Sequence, residues 1–321
     1  MNIENCLKKH QVSSIILVHG TFAGNDALGL FDLLEPLSKQ LADILKQHGK
    51  ALLDKIAGDV GNYTPEYATS MSQLTNIPCE LFIWSSGNYH LARLHGALKL
   101  AQTLANNIIQ HHLQGKPILL MGHSHAGQVF ALLTRFLSDD AEDIYAIMAQ
   151  DEELNRAKTH LLEQLKIIKT VQLDIVTFGT PVRYAWGNYQ NYRLLAIVNH
   201  RSDSTVSGIL STRDGDYVQH WGITGTDAFP PNNLSLNDAF DSVLDEGRNL
   251  TYLAQQSSTR QKNPAGDNLF LDYQDNAPMP IDLLDPLNLT HCIKTLFGHG
   301  VYTQLDKMQF NLNTIIQHWY S

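Results

Sequence analysis

The sequence predicts an α/β fold in which helices flank a mostly parallel central sheet. Short apolar runs alternate with amphipathic helical stretches between residues 13 and 203, and such alternation is typical of a parallel sheet. The chain has 321 residues, of which 43% are hydrophobic and 17% charged, so it can bury a large core. We expect a single domain over residues 1–321, with its core in about 13–203 and 291–321 and a long insertion or cap, a candidate lid, over about 204–290.

Apolar runs of strand length predict five strands of this sheet, over residues 13–18, 80–84, 118–121, 171–178 and 193–198. Apolar residues at helical spacing predict the flanking helices, over residues 34–44, 91–108, 129–137, 154–168 and 308–319. After residue 203 the pattern weakens. Residues 217–224 predict a hairpin or edge strand, and the polar stretch 255–268 predicts a loop.

The charge of the chain limits its partners. The formal net charge of −9 argues against nucleic acid as a partner, because phosphates demand a basic surface. It also gives no electrostatic attraction to an anionic membrane, so contact with a membrane surface would be transient. The apolar run Ser14–Val18 is too short for the core of a signal peptide, and no stretch reaches transmembrane length. These features predict a cytoplasmic protein, with export by a route that needs no N-terminal signal as the alternative.

Cysteines and acidic residues give no sign of a metal site. Cys6, Cys79 and Cys292 are widely separated and form no metal-binding pattern. The acidic residues do not gather into a recognisable calcium loop. We therefore expect neither a metal nor a cofactor, and a reduced setting for the three thiols.

Residues 117–127 carry the strongest functional signal. A short apolar strand leads into Gly122 and Ser124, and a helical pattern follows. A strand that passes through a tight turn into a helix, with serine at the turn, is a nucleophile elbow. The turn strains the backbone of the serine and needs small neighbours. Gly122, Ala126 and Gly127 provide them, with alanine where the usual pattern has a second glycine.

Further motifs follow the other predicted strands. The first strand ends in His19-Gly20, the fourth is followed by Gly179-Thr180-Pro181, and the fifth leads to Asp203. Late in the chain, His299 stands between two glycines. In this order, the motifs and the elbow resemble a lipase or esterase of the α/β-hydrolase superfamily. The resemblance covers most of residues 13–203 and, beyond them, the histidine loop alone.

The resemblance implies a Ser, Asp, His triad on loops at the carboxyl ends of parallel strands. Ser124 would be the nucleophile, Asp203 the acid and His299 the base, with the aromatic Tyr302 close behind the histidine. Two of these roles have rivals. The alternative bases are His291 and His220, and the alternative acids are Asp174, Asp214, Asp216 and Asp227. Asp174 lies inside a predicted strand, and the other three acids fit turn chemistry and surface charge.

The resemblance also implies an oxyanion hole made of two backbone N–H groups. Thr21, with Phe22 as the runner-up, and His125 would supply them. His19 is expected to form structural hydrogen bonds beneath this loop. His123 is expected to be a packing residue, because the elbow directs the side chain before the nucleophile away from the substrate.

Together these residues predict a serine hydrolase that cleaves carboxylic esters by two-step acyl transfer. The elbow and Gly179-Thr180-Pro181 resemble lipases and phospholipases more than small-ester hydrolases, so a lipid ester is the expected substrate. A thioesterase or an acyltransferase would use the same triad. The alternative from another class is a non-catalytic binding protein that retains the fold.

Overall fold

The computed structural model describes residues 3–20, 61–200, 215–216, 218–219, 233–244, 262–274, 295–296 and 298–321. Within them, six strands form one sheet in the order β2-β1-β3-β4-β5-β6, and every neighbouring pair is parallel. The strands are β1 (Ser14–Val18), β2 (Cys79–Phe82), β3 (Pro117–His123), β4 (Gln172–Phe178), β5 (Tyr192–Asn199) and β6 (Asp267–Leu271). The predicted α/β class is confirmed. The helix predicted over 34–44 and most of the strand predicted over 217–224 lie outside the described residues.

The central strands are buried on both faces, which explains their continuous apolar runs. In β3, Ile118 and Leu120 face one hydrophobic core, whereas Leu119 and Met121 face the other. This alternation follows from the period of two along a strand. The five predicted strands are all present, with ends that differ from the prediction by one or two residues.

The described helices cover both faces of the sheet. They are α1 (Ile3–Lys9), α2 (Pro65–Thr75), α3 (His90–Gln110), α4 (Ala126–Leu137), α5 (Glu142–Met148), α6 (Glu152–Ile168), α7 (Leu234–Leu244) and α8 (Met308–Trp319). Helices α3 to α7 contribute to one core, and α1, α2 and α8 contribute to the other. The sequence pattern did not predict α1 and α5, which have seven residues each, too few to show helical periodicity. Nor did it predict α2, although Thr64 caps that helix by accepting from the Tyr67 amide and Pro65 follows it, a recognisable start signal.

Two described elements lie in the range that the sequence analysis assigns to an insertion. Helix α7 buries Phe240 and Leu244, and Asn237 accepts a hydrogen bond from the Leu91 amide at the start of α3. Strand β6 extends the sheet beside β5. The prediction of a loop over 255–268 is wrong at its end, where β6 begins. This edge strand is only half-buried, so it needs few apolar residues and its periodic signal is weak.

An ion pair between a buried carboxylate and a partly exposed guanidinium lies in the first halves of β4 and β5. The Arg193 guanidinium donates to both carboxylate oxygens of Asp174, at 2.7 and 3.0 Å, and Tyr320 donates its hydroxyl to the same carboxylate. The Arg193 guanidinium also lies 4.5 Å from the centre of the Trp319 ring. These contacts attach the end of α8 to the sheet. Asp174, a rival for the catalytic acid in the sequence, is engaged in this pair.

Candidate active site

Ser124 occupies a strained turn between β3 and α4. Its φ of +55° lies in the left-handed region, which costs a non-glycine residue energy and is concentrated at functional sites. Hydrogen bonds from both backbone polar groups of Ser124 hold the turn in place. The Ser124 amide donates to Phe178 O at the end of β4, 2.9 Å away. Thr180 Oγ1 donates to Ser124 O at 2.7 Å, so the Gly-Thr-Pro motif supports the elbow directly.

Larger residues would not fit around Ser124, because neighbouring atoms are already in close contact. A Cβ atom on Gly122 would collide with the Phe130 ring, and one on Gly127 would collide with the Thr180 side chain. Two residues beyond the end of β1, a Cβ atom on Gly20 would lie 2.6 Å from Ser124 Cβ. The backbone that follows β1 therefore runs directly beside the serine.

The Ser124 side chain is fully buried. Its Oγ has no hydrogen-bond partner among the described residues. Buried hydroxyl groups in folded proteins are nearly always hydrogen-bonded, and exceptions often mark functional groups. Ser124 is an exception of this kind, and it also lies in a strained turn.

His299 and Asp216 form a fully buried pair. The distance between His299 Nδ1 and Asp216 Oδ2 is 2.8 Å, and both side chains are inaccessible to solvent. The turn that carries the histidine is closed by a hydrogen bond from the His299 amide to Leu296 O at 3.0 Å. Gly298 adopts a φ of +79° just before it, a conformation that favours glycine.

The carboxylate of Asp216 has two further donors. The Gln219 amide donates to Oδ1 at 2.8 Å, and the Tyr302 hydroxyl donates to Oδ2 at 2.8 Å. Tyr302 in turn accepts from the Asn199 amide at the end of β5, at 2.7 Å. Burial, together with the nearby Asp216 charge, raises the pKa of Tyr302 well above its ordinary value, so the hydroxyl keeps its proton and acts as a donor. The acid is thereby fixed at the carboxyl end of the sheet.

The end of β4 leaves room for this pair. Gly179 has a φ of +58°, and a Cβ atom there would collide with Asp216 Oδ2 and lie 3.1 Å from His299 Nδ1. The His299 ring also lies against His123, with ring centroids 4.5 Å apart. His123 directly precedes Ser124 in the chain. The histidine–aspartate pair and the strained serine therefore both lie next to His123 at the same edge of the sheet, and Ser124 Oγ forms no hydrogen bond to His299.

The structure places the predicted site residues as follows. Ser124, His299 and His125 lie at this edge, and the acid in contact with His299 is Asp216. Asp203, the predicted acid, is outside the described residues, as are Thr21 and Phe22. The remaining rivals outside them are His220, His291, Asp214 and Asp227.

The sequence offers Asp216 as an alternative acid, but its surroundings in the chain are equally those of a turn. It follows Gly215, whose φ is +141°, and its amide donates to Asn199 O at 3.0 Å. The local Asp-Gly-Asp pattern is that of an ordinary turn. Only the contact with the end of β5 and with the histidine loop distinguishes Asp216 from other turn aspartates.

His19 has the structural role that was expected of it. Its Nε2 accepts from the Trp84 amide at 3.3 Å, so its proton resides on Nδ1, which lies 2.9 Å from Gly20 O. Burial lowers the pKa of His19, which agrees with a neutral ring. This side chain therefore fixes the Gly20 carbonyl, next to Ser124.

His125 is the N-cap of helix α4, with φ −61° and ψ −14°. Amides in the first turn of a helix carry partial positive charge and favour a negative group nearby. The backbone of the residue after Ser124 is therefore electrostatically suited to a developing oxyanion.

Comparison of the chain with protein-family models, with curated proteins and with solved structures gave no match. The fold itself shows an α/β protein whose described residues include a six-stranded parallel sheet. Within the described residues, no three potential metal ligands gather at one place, and none of the helices is long and apolar enough to cross a membrane.

Proposed function

We propose that the protein is a serine hydrolase that cleaves carboxylic esters through a covalent acyl-enzyme. The observation that carries this proposal is the buried His299–Asp216 pair lying against the residue that precedes the strained Ser124. A serine hydroxyl is a weak nucleophile unless a base removes its proton. An imidazole oriented by a carboxylate is the base that serine hydrolases of several unrelated folds use.

The proposed reaction has two steps. Asp216 accepts the hydrogen bond of His299 Nδ1–H, so Nε2 is the nitrogen that takes the proton of Ser124 Oγ as Oγ attacks the ester carbonyl. The tetrahedral intermediate collapses when Nε2–H protonates the leaving alcohol, and Ser124 retains the acyl group. Nε2 then deprotonates a water that attacks the acyl-enzyme, and Nε2–H returns this proton to Ser124 Oγ as the bond between Oγ and the acyl carbon breaks, which releases the carboxylic acid and the free serine.

Two backbone amides are proposed to bind the oxyanion. His125 would supply one from the N-cap of α4, and Thr21, or Phe22 in its place, would supply the other from the segment after Gly20. One such donor contributes about 3–4 kcal/mol to lowering the barrier in comparable sites. The hydrogen bond from His19 to the Gly20 carbonyl supports a fixed backbone at the start of this segment.

Lipid esters are the proposed substrate class. Support comes from the resemblance of the elbow and of Gly179-Thr180-Pro181 to lipases and phospholipases. A thioester, or an alcohol in place of the attacking water, would react through the same three groups. A substrate panel therefore includes triacylglycerols, phospholipids and acyl thioesters.

Labelling with a fluorescent fluorophosphonate tests the proposal. We expect the wild type to be labelled, Ser124→Ala to lose all labelling, and His299→Ala to label much more slowly. Ser138→Ala is the matched control, since this buried serine at the other end of α4 donates to Arg135 O at 2.7 Å and should leave labelling unchanged. Folded wild-type protein that neither labels nor hydrolyses any ester, with and without detergent, would contradict the proposed function.

A further inference from the structure

His123 is a fully buried imidazole that the proposed reaction does not use. Its Nδ1 lies 2.9 Å from Gly61 O, and its Nε2 lies 2.8 Å from His299 O. It is the last residue of β3 and therefore rigidly placed. Both ring nitrogens thus face backbone carbonyl groups, which only accept hydrogen bonds.

These contacts join three distant parts of the chain. Gly61 and His299 are 62 and 176 residues from His123. The Gly61 amide donates to Thr303 Oγ1 at 2.9 Å, and Thr303 lies just beyond the histidine turn. A Cβ atom on Gly61 would lie 2.9 Å from Leu296 Cδ1. The elbow, the Gly61 segment and the histidine turn therefore form a closed set of contacts around one ring.

The protonation state of His123 matters to its neighbour. Burial, and then the nearby His299, hold the pKa of His123 well below its ordinary value. The ring is therefore neutral at neutral pH and donates one N–H at a time. A positive charge on it, with ring centroids 4.5 Å apart, would oppose the imidazolium that forms on His299 during the reaction.

We propose that His123 is a positioning residue, whose Nε2–H binds the carbonyl of His299 and thereby holds the His299 ring at the correct place relative to Ser124. This inference rests on the proposed function. It differs from the packing role expected from the sequence, because it assigns the effect to one hydrogen bond to the backbone of the base. Misplacing a catalytic group by about 1 Å can cost roughly 100-fold in rate, so a hydrogen bond at this point has kinetic consequences.

Two amide replacements separate the two contacts. In His123→Gln the amide nitrogen can reach the position of Nε2 and still donate to His299 O. In His123→Asn the amide nitrogen stands near the position of Nδ1 and can donate only to Gly61 O. The two variants carry the same functional group and differ by one methylene, so each is the matched control of the other.

The experiment measures kcat and KM on the best ester of the substrate panel, together with the melting temperature of each variant. We expect His123→Gln to keep kcat within about 3-fold of wild type and His123→Asn to lose roughly 10- to 100-fold in kcat. KM should change little in either, because the substrate itself is not contacted. A second readout, the rate of fluorophosphonate labelling, should follow kcat.

Equal kcat in the two variants at equal melting temperature would overturn the proposal, since a purely structural histidine would not discriminate between the two amides. Both variants as active as wild type would also overturn it, while leaving the proposed function intact. Failure of the proposed function gives a different result, because the wild type itself would then show neither labelling nor hydrolysis.

Discussion

Asp216 receives three hydrogen bonds, one from the backbone of nearby Gln219 and two from the segment that carries His299 and Tyr302. The His299 ring, the Tyr302 hydroxyl and the Gln219 amide all lie 2.8 Å from its carboxylate oxygens. The contact with Nδ1 orients the His299 ring, which leaves Nε2 as the acceptor in the proposed reaction.

Replacing this carboxylate by an amide should remove most of the activity. In Asp216→Asn the side-chain N–H₂ can face His299 Nδ1, which favours the wrong tautomer, and we expect kcat to fall by about 10³- to 10⁴-fold. The measurement is steady-state hydrolysis with the melting temperature checked in parallel. Asp203→Asn is the comparison variant. A larger loss from Asp203→Asn than from Asp216→Asn would assign the acid to Asp203, as the sequence predicted.

At the scale of the element, the elbow depends on close contact between α4 and the segment after β4. Gly127 lies in the first turn of α4 and packs on Thr180, whose hydroxyl donates to Ser124 O. Alanine stabilises a helix by about 1 kcal/mol relative to glycine. At this position the added methyl group collides with a threonine side chain that is itself held by the elbow, so we expect the collision to outweigh that gain.

We therefore predict that Gly127→Ala lowers the free energy of unfolding by about 1–3 kcal/mol. Thr180→Ala should cost about 0.5–1.5 kcal/mol through loss of its hydrogen bond. The double variant should lose less free energy of unfolding than the two single variants lose together, because alanine at position 180 relieves part of the collision with the methyl group at position 127. Denaturant unfolding of the four proteins measures this coupling, and strictly additive losses would show that the two residues do not press on each other.

At the scale of the whole molecule, the candidate active site and the Asp174–Arg193 ion pair lie towards opposite ends of the strands. The carboxyl ends of β1, β3, β4 and β5 carry the candidate active site. The first halves of β4 and β5 hold the Asp174–Arg193 pair, to which Tyr320 attaches the chain after α8. Asp174 is fully buried, while 38% of the Arg193 side chain is exposed.

Removal of Arg193 should destabilise the molecule without altering the chemistry. Arg193→Met leaves the Asp174 carboxylate buried without its cation, and we expect a loss of roughly 3 kcal/mol or less in the free energy of unfolding, since Arg193 is partly exposed. The double variant Asp174→Asn/Arg193→Met should recover part of that loss. Denaturant unfolding and fluorophosphonate labelling, both well below the melting temperature, check the two claims. Slower labelling of the folded Arg193→Met protein would show that the pair acts on the active site.

The sequence by itself determined the α/β class, five strands and the strained turn at Ser124. These features depend on neighbours in the chain: apolar period within one strand, and small residues next to one serine. Because such interactions are local, the order of residues is enough to predict them. The order of the motifs, together with the glycines on either side of His299 and the aromatic Tyr302 after it, also indicated the late histidine that the structure pairs with an acid.

The tertiary structure alone decided which acid contacts His299, where the sixth strand lies and which groups His123 contacts. Asp216 has the local pattern of a turn, and it meets the histidine only because β5 and the histidine turn bring Asn199, Tyr302 and His299 together. Strand β6 is an edge strand whose half-buried faces require little apolar sequence. The contacts of His123 span 62 and 176 residues. Hydrogen bonds between such distant groups require no particular local sequence pattern, so only the folded structure shows them.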